Sequence, residues 1–136
     1  MKTSTKTTGI KKPKYNVLVV DDEEKICKII KIFLDMSSRF SNVVLAKDAL
    51  EAMMKLNNQD FDLIIVDKSM PNRSGLDFIL NLKKSFRLGK IKVLLISGCL
   101  TKEDTLLAMK LGIKDILIKP FNRQRLMEKV STILNF

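Results

Sequence analysis

Five residues able to handle phosphate close short apolar runs: Asp21 and Asp22 end VLVVDD, Asp67 ends LIIVD, Ser97 ends VLLIS and Lys119 ends ILIK. Gathered in one place, they would form a site of three carboxylates, a hydroxyl and an ammonium. Crowded carboxylates repel one another and resist ionisation unless a cation compensates them. A hard divalent ion with oxygen ligands does this, and Mg²⁺ in particular uses few carboxylates, keeps water and takes phosphate oxygens. Three negative charges, Lys119 and one Mg²⁺ sum to about zero, which suits transfer of a phosphoryl group onto a carboxylate, where positioning and charge neutralisation are most of the catalysis. Asp67 is the nucleophile in such a scheme.

Each residue also has a plainer role open to it. Asp21 to Glu24 could complement the dipole of a following helix. Asp67 could start a turn, Ser97 before Gly98 could do the same, and Lys119 could be a surface lysine before Pro120. What separates the two readings is whether the fold brings the five together.

The elements that would position them are legible from periodicity. Tyr15 to Val20 reads as a strand, and Ile26, Ile29, Ile30, Phe33 and Leu34 then fall at helical spacing. Asn42 to Ala46 is a second strand, followed by a helix face of Ala49, Ala52, Met53 and Leu56. Leu63 to Val66 is a third strand, followed by Leu76, Ile79, Leu80 and Lys83. Val93 to Ile96 precedes a helix that Thr101 caps and Gly112 ends. Ile116 to Ile118 is the last strand, and Asn122 caps a helix whose inner face is Leu126, Met127, Val130, Ile133 and Leu134. Five strands apolar on both faces, each followed by a helix, predict a doubly wound α/β domain with a parallel sheet covered on both sides. Ligands of such sheets bind at the carboxyl ends of the strands, near the point where strand order reverses. Four of the five strands deliver a polar group to that rim.

Composition narrows the alternatives. The chain of 136 residues has room for one core, and 46% of its residues are hydrophobic. Its apolar runs fall short of the roughly 20 residues needed to cross a bilayer. The basic N-terminus has no apolar segment after it and so does not read as a secretory signal; a soluble, cytoplasmic protein is expected, with no membrane partner. Cys27 and Cys99 match no metal or redox spacing and read as a buried helix residue and a small loop residue. With no histidine, the commonest catalytic base is missing. The net charge is +10; five of the 25 basic residues are the lysines of residues 1–14, which hold no acid, leaving 20 basic against 15 acidic. That Thr-, Ser- and Lys-rich tail has the composition of a disordered segment. It has no arginine and only Tyr15 beside it for stacking, which argues against a nucleic-acid partner.

With VVDDEE, VDKSMPNRSG around Asp67, LLISG and ILIKPF in this order, residues 15–136 resemble the response regulator receiver domain of two-component signalling, in particular the single-domain chemotaxis type. The separations of 30 residues from Asp67 to Ser97 and 22 from Ser97 to Lys119 fit that family. The resemblance implies a flavodoxin-like strand order 2-1-3-4-5 with helices on both faces. It also implies a phosphorylation-dependent switch in a phosphorelay, a regulatory domain that assists its own phosphotransfer and dephosphorylation without being an enzyme in the ordinary sense. Asp67 would be phosphorylated. Asp22 and Asp67 would bind Mg²⁺ directly, Asp21 mainly through water, and the carbonyl of Ser69 would be a further ligand. Ser97 would donate to the phosphoryl oxygen, Lys119 would pair with it, and the Lys119–Pro120 bond would be cis. Because the chain lacks histidine, the donor would be a histidine on a sensor kinase or phosphotransfer protein, or a small acyl phosphate, and an output protein would read the result.

One position departs from the family. An aromatic switch residue usually stands three places before the lysine, and here Ile116 stands there. Its branched side chain is stiff, so phosphorylation is expected to act through the loop after Ser97 and the helix from Thr101 to Gly112. Three other readings fit less well. A degenerate receiver used as a fixed interaction module explains Ile116 but not the intact set of five. A flavin-binding protein of the same fold wants a Ser-, Thr- and Gly-rich loop after the first strand. A hydrolase with an aspartate nucleophile wants an acid two residues later, where Ser69 stands. No helix-turn-helix follows the last helix, so a built-in DNA-binding function is not expected.

Overall fold

A computed structural model describes residues 12–70 and 73–136. Along the chain run β1 (Tyr15–Val20), α1 (Glu24–Asp35), β2 (Phe40–Ala46), α2 (Ala49–Asn58), β3 (Leu63–Asp67), α3 (Gly75–Lys83), a 3-10 turn at Leu88–Lys90, β4 (Lys92–Ser97), α4 (Lys102–Lys110), β5 (Ile116–Ile118) and α5 (Arg123–Leu134). The five strands form one sheet in the order β2-β1-β3-β4-β5, all parallel.

Alternation along the strands sorts the core into two layers. Leu18, Val20, Ile64, Val66 and Leu95 point to the side covered by α2, α3 and α4, where Leu56, Phe78 and Ile79 meet them. Val17, Val19, Leu63, Ile65, Leu94 and Ile96 point to the other side, against Cys27, Ile30 and Leu34 of α1 and Leu126, Val130 and Ile133 of α5. Covering both faces makes the inner strands apolar over residues 17–20, 63–66 and 93–96, which is why these stretches read as continuous runs and not as alternating ones.

The helix starts follow their capping residues. Asp48, Ser74, Thr101 and Asn122 each accept a backbone N–H of the helix they begin, and Gly112, with φ of 74°, takes the left-handed turn after α4. Three expectations shift. β2 begins at Phe40, two residues before Asn42. In α3 the buried stripe is Leu76, Phe78, Ile79 and Leu82, so Leu80 and Lys83 face outward. In α1, Cys27, Ile30 and Leu34 form the inner stripe and leave Ile29 40% exposed. Periodicity located both helices and most of their inward faces, with Ile26, Ile30, Phe33, Leu34, Leu76 and Ile79 on the core, and missed at their edges because rotation about the helix axis is decided by the sheet beneath.

Of the expected tail, residues 1–11 lie outside the described residues. Lys12, Pro13 and Lys14 are exposed and outside regular structure, with the Pro13 carbonyl accepting from Arg39 Nε at 3.3 Å. Tyr15 stacks on Phe136 at 5.7 Å and donates its hydroxyl to the Leu134 carbonyl, so its ring is already in use. No helix among the described residues is long and apolar enough to cross a membrane.

Candidate functional site

The sheet order places the end of β1 beside the end of β3, and the end of β4 on the other side of β3. Asp67 is the last residue of β3 and is buried, as are Asp21, just past β1, and Ser97, the last residue of β4; they are the buried polar side chains of the described chain. Asp22 is exposed at the rim. One carboxylate oxygen from each of Asp21, Asp22 and Asp67 lies within 4.8 Å of the others. Lys119 follows β5, where its N–H donates to the Ser97 carbonyl at 2.8 Å and the Lys119–Pro120 bond is cis. Its Nζ donates to Asp67 Oδ2 and Glu23 Oε1, each at 3.1 Å, and stands 3.6 Å from Asp21 Oδ2. The fold therefore brings the predicted acids and lysine into one cluster.

The loop bonds hold one oxygen of each buried carboxylate and turn the other toward Lys119. Asp67 Oδ1 accepts the Ser69 N–H at 3.2 Å, and Asp21 Oδ1 accepts the Glu23 N–H at 2.9 Å. Asp21 Oδ2 is buried with no hydrogen-bond partner. Burial pushes the Asp21 carboxyl up to about 6; the backbone bond from Glu23 opposes this and the charge of Asp67 adds to it. Burial works against the charge of Lys119, but its hydrogen bonds to Asp67 and Glu23 outweigh it and hold the ammonium above its usual range. One lysine thus serves three carboxylates, and the buried Asp21 Oδ2, 3.6 Å from it, is left without a hydrogen bond. That orphaned oxygen and the all-oxygen donor set fit a hard cation of the Mg²⁺ kind.

Ser97 is brought to the same rim, one residue past Ile96, the β4 partner of Asp67. Its hydroxyl donates to the Cys99 carbonyl at 2.7 Å and accepts the Cys99 N–H at 3.1 Å. Ile116 is half-buried, paired with Leu95 and packed on the core layer under α4. The cysteines hold no chemistry at this rim. Cys27 is buried, donates to the Asp21 carbonyl at 3.2 Å, and has its thiol pushed up to about 11 by burial and then by the charge of Asp21; Cys99 is an exposed loop residue.

Three residues of the site were not singled out from the sequence. Glu23, read with its neighbours as a helix-dipole residue, is the second partner of Lys119, whereas Glu24 does fit that plainer role, pairing on the surface with Lys28. Lys68 reaches from the loop after β3 to Asp104 of α4. Gly75 starts α3 hard against the loop backbone: a Cβ there would lie 2.1 Å from the Asp67 carbonyl oxygen. Glycine is ordinary at a helix start, so the sequence gives no sign of the close approach at Gly75. For Glu23 and Lys68 the partners lie 96 and 36 residues away, and no local pattern reveals them.

Comparison with known proteins agrees with this geometry. Residues 17–131 match the response regulator receiver domain family. The chain is 33% identical to chemotaxis protein CheY1 of Helicobacter pylori, with 87% of this chain and 95% of that one covered. It is 32% identical to chemotaxis protein CheY-3 of Vibrio cholerae, with 86% and 89% covered. Among solved structures, a response regulator receiver protein from Pseudomonas putida superposes with a TM-score of 0.81 at 31% identity, covering 89% of this chain and 98% of that one.

Proposed function

The chain belongs to the response regulator receiver domain family, whose members are phosphorylation-dependent switches of two-component signalling, and on that premise we propose that Asp67 accepts the phosphoryl group. The folded domain is taken as residues 15–136, and residues 1–14 as an appendage to it. The observation that carries the assignment is the unbalanced rim: buried Asp67 and Asp21 share Lys119, which stands 3.6 Å from Asp21 Oδ2 and leaves that buried oxygen without a hydrogen bond. A structural carboxylate cluster would be neutralised. This one is arranged to receive more positive charge together with a phosphoryl group.

In the reaction, a carboxylate oxygen of Asp67 forms a bond to phosphorus as the bond from phosphorus to the donor breaks; a histidine donor leaves as imidazole carrying a proton, and an acyl phosphate donor leaves as its carboxylate. The chain has no histidine of its own, so the donor is a histidine on a sensor kinase or phosphotransfer protein, or a small acyl phosphate. Lys119 already touches Asp67 and is placed to follow the charge onto the phosphoryl oxygens. The Ser97 hydroxyl, which now donates to the Cys99 carbonyl, turns to donate to a phosphoryl oxygen. Asp21, Asp22, Asp67 and the Ser69 carbonyl would hold Mg²⁺, which when bound supplies charge neutralisation for transfer in and for hydrolysis out. The modified domain then presents a changed surface to an output protein.

The test is uptake of one phosphoryl group from a small acyl phosphate in the presence of Mg²⁺, read by intact-protein mass for wild type and Asp67→Asn. Labelling of wild type alone is expected. Equal labelling of both would remove Asp67 from the acceptor role.

A further inference from the structure

We propose that Lys68 is a positioning residue that couples the phosphoacceptor loop to the first turn of α4, so that phosphorylation of Asp67 is transmitted to that turn through the Lys68–Asp104 ion pair. This rests on the assignment of Asp67 given above.

The geometry is that of a strut with a fixed foot. Lys68 follows Asp67 directly; its backbone N–H donates to the Ile96 carbonyl of β4 at 2.8 Å, and its carbonyl accepts the Gly75 N–H of α3 at 2.7 Å. From this pinned backbone the side chain crosses to α4, where Nζ meets Asp104 Oδ2 at 2.8 Å and also donates to the Cys99 carbonyl. Both charged side chains are mostly covered, with 16% and 26% of their surfaces exposed, so the pair is better shielded than an ordinary surface contact.

Asp104 carries the start of α4 itself. Its carboxylate accepts the Thr101 N–H while Thr101 Oγ1 accepts the Asp104 N–H, which closes a reciprocal cap. The bond to Lys68, and after it the one to Thr101, hold the Asp104 carboxyl below its ordinary range. Beyond this turn α4 has little holding it. Ala108 is its buried residue and Leu107 is half-buried against the core, while Leu106 and Met109 are 51% and 68% exposed. A helix with so little apolar contact belongs to the easily moved part of a fold, and its polar anchors decide where it sits.

The second contact joins the strut to the chemistry. The Cys99 carbonyl accepts from two donors, the Ser97 hydroxyl and Lys68 Nζ. When Ser97 turns its hydroxyl toward a phosphoryl group on Asp67, that carbonyl keeps Lys68 as donor and is not left unpaired. The loop from Gly98 to Thr101 can then follow Ser97 while Lys68 keeps Asp104 referred to the β3 rim. The cap at Thr101 and Asp104 lies between the moving loop and the fixed strut and takes up the difference. No aromatic side chain is needed for this route, and Ile116 takes no part in it.

Amide hydrogen exchange of residues 101–105, measured with and without the phosphoryl group in wild type, Lys68→Met, Lys68→Arg and Asp104→Asn, tests the coupling, with intact mass reporting modification in the same samples. Asn at 104 keeps an acceptor for the Thr101 N–H, so Asp104→Asn removes the ion pair without removing the cap. In wild type, phosphorylation is expected to change exchange in this turn by about tenfold, the scale of one charge-assisted hydrogen bond. Lys68→Met and Asp104→Asn should still take up the phosphoryl group, with the change in the turn reduced to within about twofold, and Lys68→Arg should keep most of it. A wild-type-sized change in phosphorylated Lys68→Met or Asp104→Asn would overturn the coupling, as would a labelled wild type with a silent turn. Failure of the Asp67 assignment shows up separately, as equal mass gain in wild type and Asp67→Asn.

Discussion

The two ends of the sheet carry opposite charge and treat it differently. At the amino end, Lys83, Lys90, Lys92 and Lys114 line a groove of about 410 Å³ into which the ends of α4 and α5 lead. Lys83 Nζ donates to the Gly89 carbonyl at 3.2 Å, Lys92 Nζ to the Ile133 carbonyl at 2.9 Å, and Lys90 Nζ sits 4.0 Å above the Phe86 ring. Positive charge there answers carbonyls and helix C-termini that are electron-rich already, which stabilises both. At the carboxyl end, Asp21, Glu23 and Asp67 share Lys119 with Asp22 beside them, and the buried Asp21 Oδ2 has no hydrogen bond. A charge cluster by itself therefore says little. The candidate site lies at the end where three carboxylates share one lysine.

The largest effect that would sharpen this contrast is on chemistry. Lys119→Met should slow phosphoryl uptake from a small acyl phosphate roughly 100- to 1000-fold, as expected for loss of a preorganised charge at the reacting group, while Lys92→Met at the opposite end should leave the rate unchanged. Time-resolved intact mass gives both rates, and similar slowing by the two would erase the distinction between the ends.

Next comes a steric effect at the carboxyl rim. Gly75→Ala places a Cβ 2.1 Å from the Asp67 carbonyl oxygen, whereas Gly98 has nothing within 4 Å of the same added atom. Denaturant unfolding should show a loss of about 2 kcal/mol for Gly75→Ala and a change within about 0.5 kcal/mol for Gly98→Ala. Equal costs would mean that α3 is free to back away from the loop.

Electrostatic imbalance predicts a gain in stability from removing charge. The Asp21 carboxyl is raised from 3.8 to about 6 in the folded protein, so between these values the folded state binds more protons than the unfolded one. Stability from this group is present below pH 3.8 and is lost as pH rises through about 6. Asp21→Asn should therefore raise stability by about 1.5 kcal/mol at neutral pH without Mg²⁺, and lose that advantage near pH 4 or when Mg²⁺ is added. Thermal melts at pH 4.5 and 7.5, with and without the ion, report all of these. An Asp21→Asn protein less stable than wild type in metal-free neutral buffer would show that Lys119 already balances the rim.

The amino end should respond modestly. Lys92→Met strands the Ile133 carbonyl at a half-open position and should cost about 1 kcal/mol, with phosphoryl uptake intact. Smallest of all is removal of residues 1–11, which offer little apolar surface; a change within about 0.5 kcal/mol is expected in chemical denaturation, and a larger one would mean that the segment packs on the domain.

The strands and capping residues were legible because each rests on local chemistry. Tyr15–Val20 and Ile116–Ile118 have the bounds that their apolar runs predicted, and Thr101 and Asn122 are the caps expected, whereas the caps Asp48 and Ser74 were not singled out. The inner faces of α1 and α3 were less legible, since a helix rich in Ile, Leu and Phe offers more than one stripe and only the opposing layer selects among them. The five polar residues of the site were visible from their place at the ends of strands. Their partners were not visible, because Glu23 and Lys119 are 96 residues apart and meet only across a closed sheet.

What the sequence by itself determined was a set of apolar strands that must be buried on both sides, and polar residues placed just where those strands stop. Burial on both faces leads to a parallel sheet, and a parallel sheet puts every carboxyl end on one rim. Tertiary structure alone decided the division of charge within that rim: Lys119 reaching Asp67 and Glu23 at 3.1 Å but Asp21 at 3.6 Å, and Lys68 directed to Asp104. Hydrophobic periodicity is set by neighbours in the chain, whereas ion pairing depends on distances of a few ångströms between segments far apart in it, and those distances exist only once the sheet has closed.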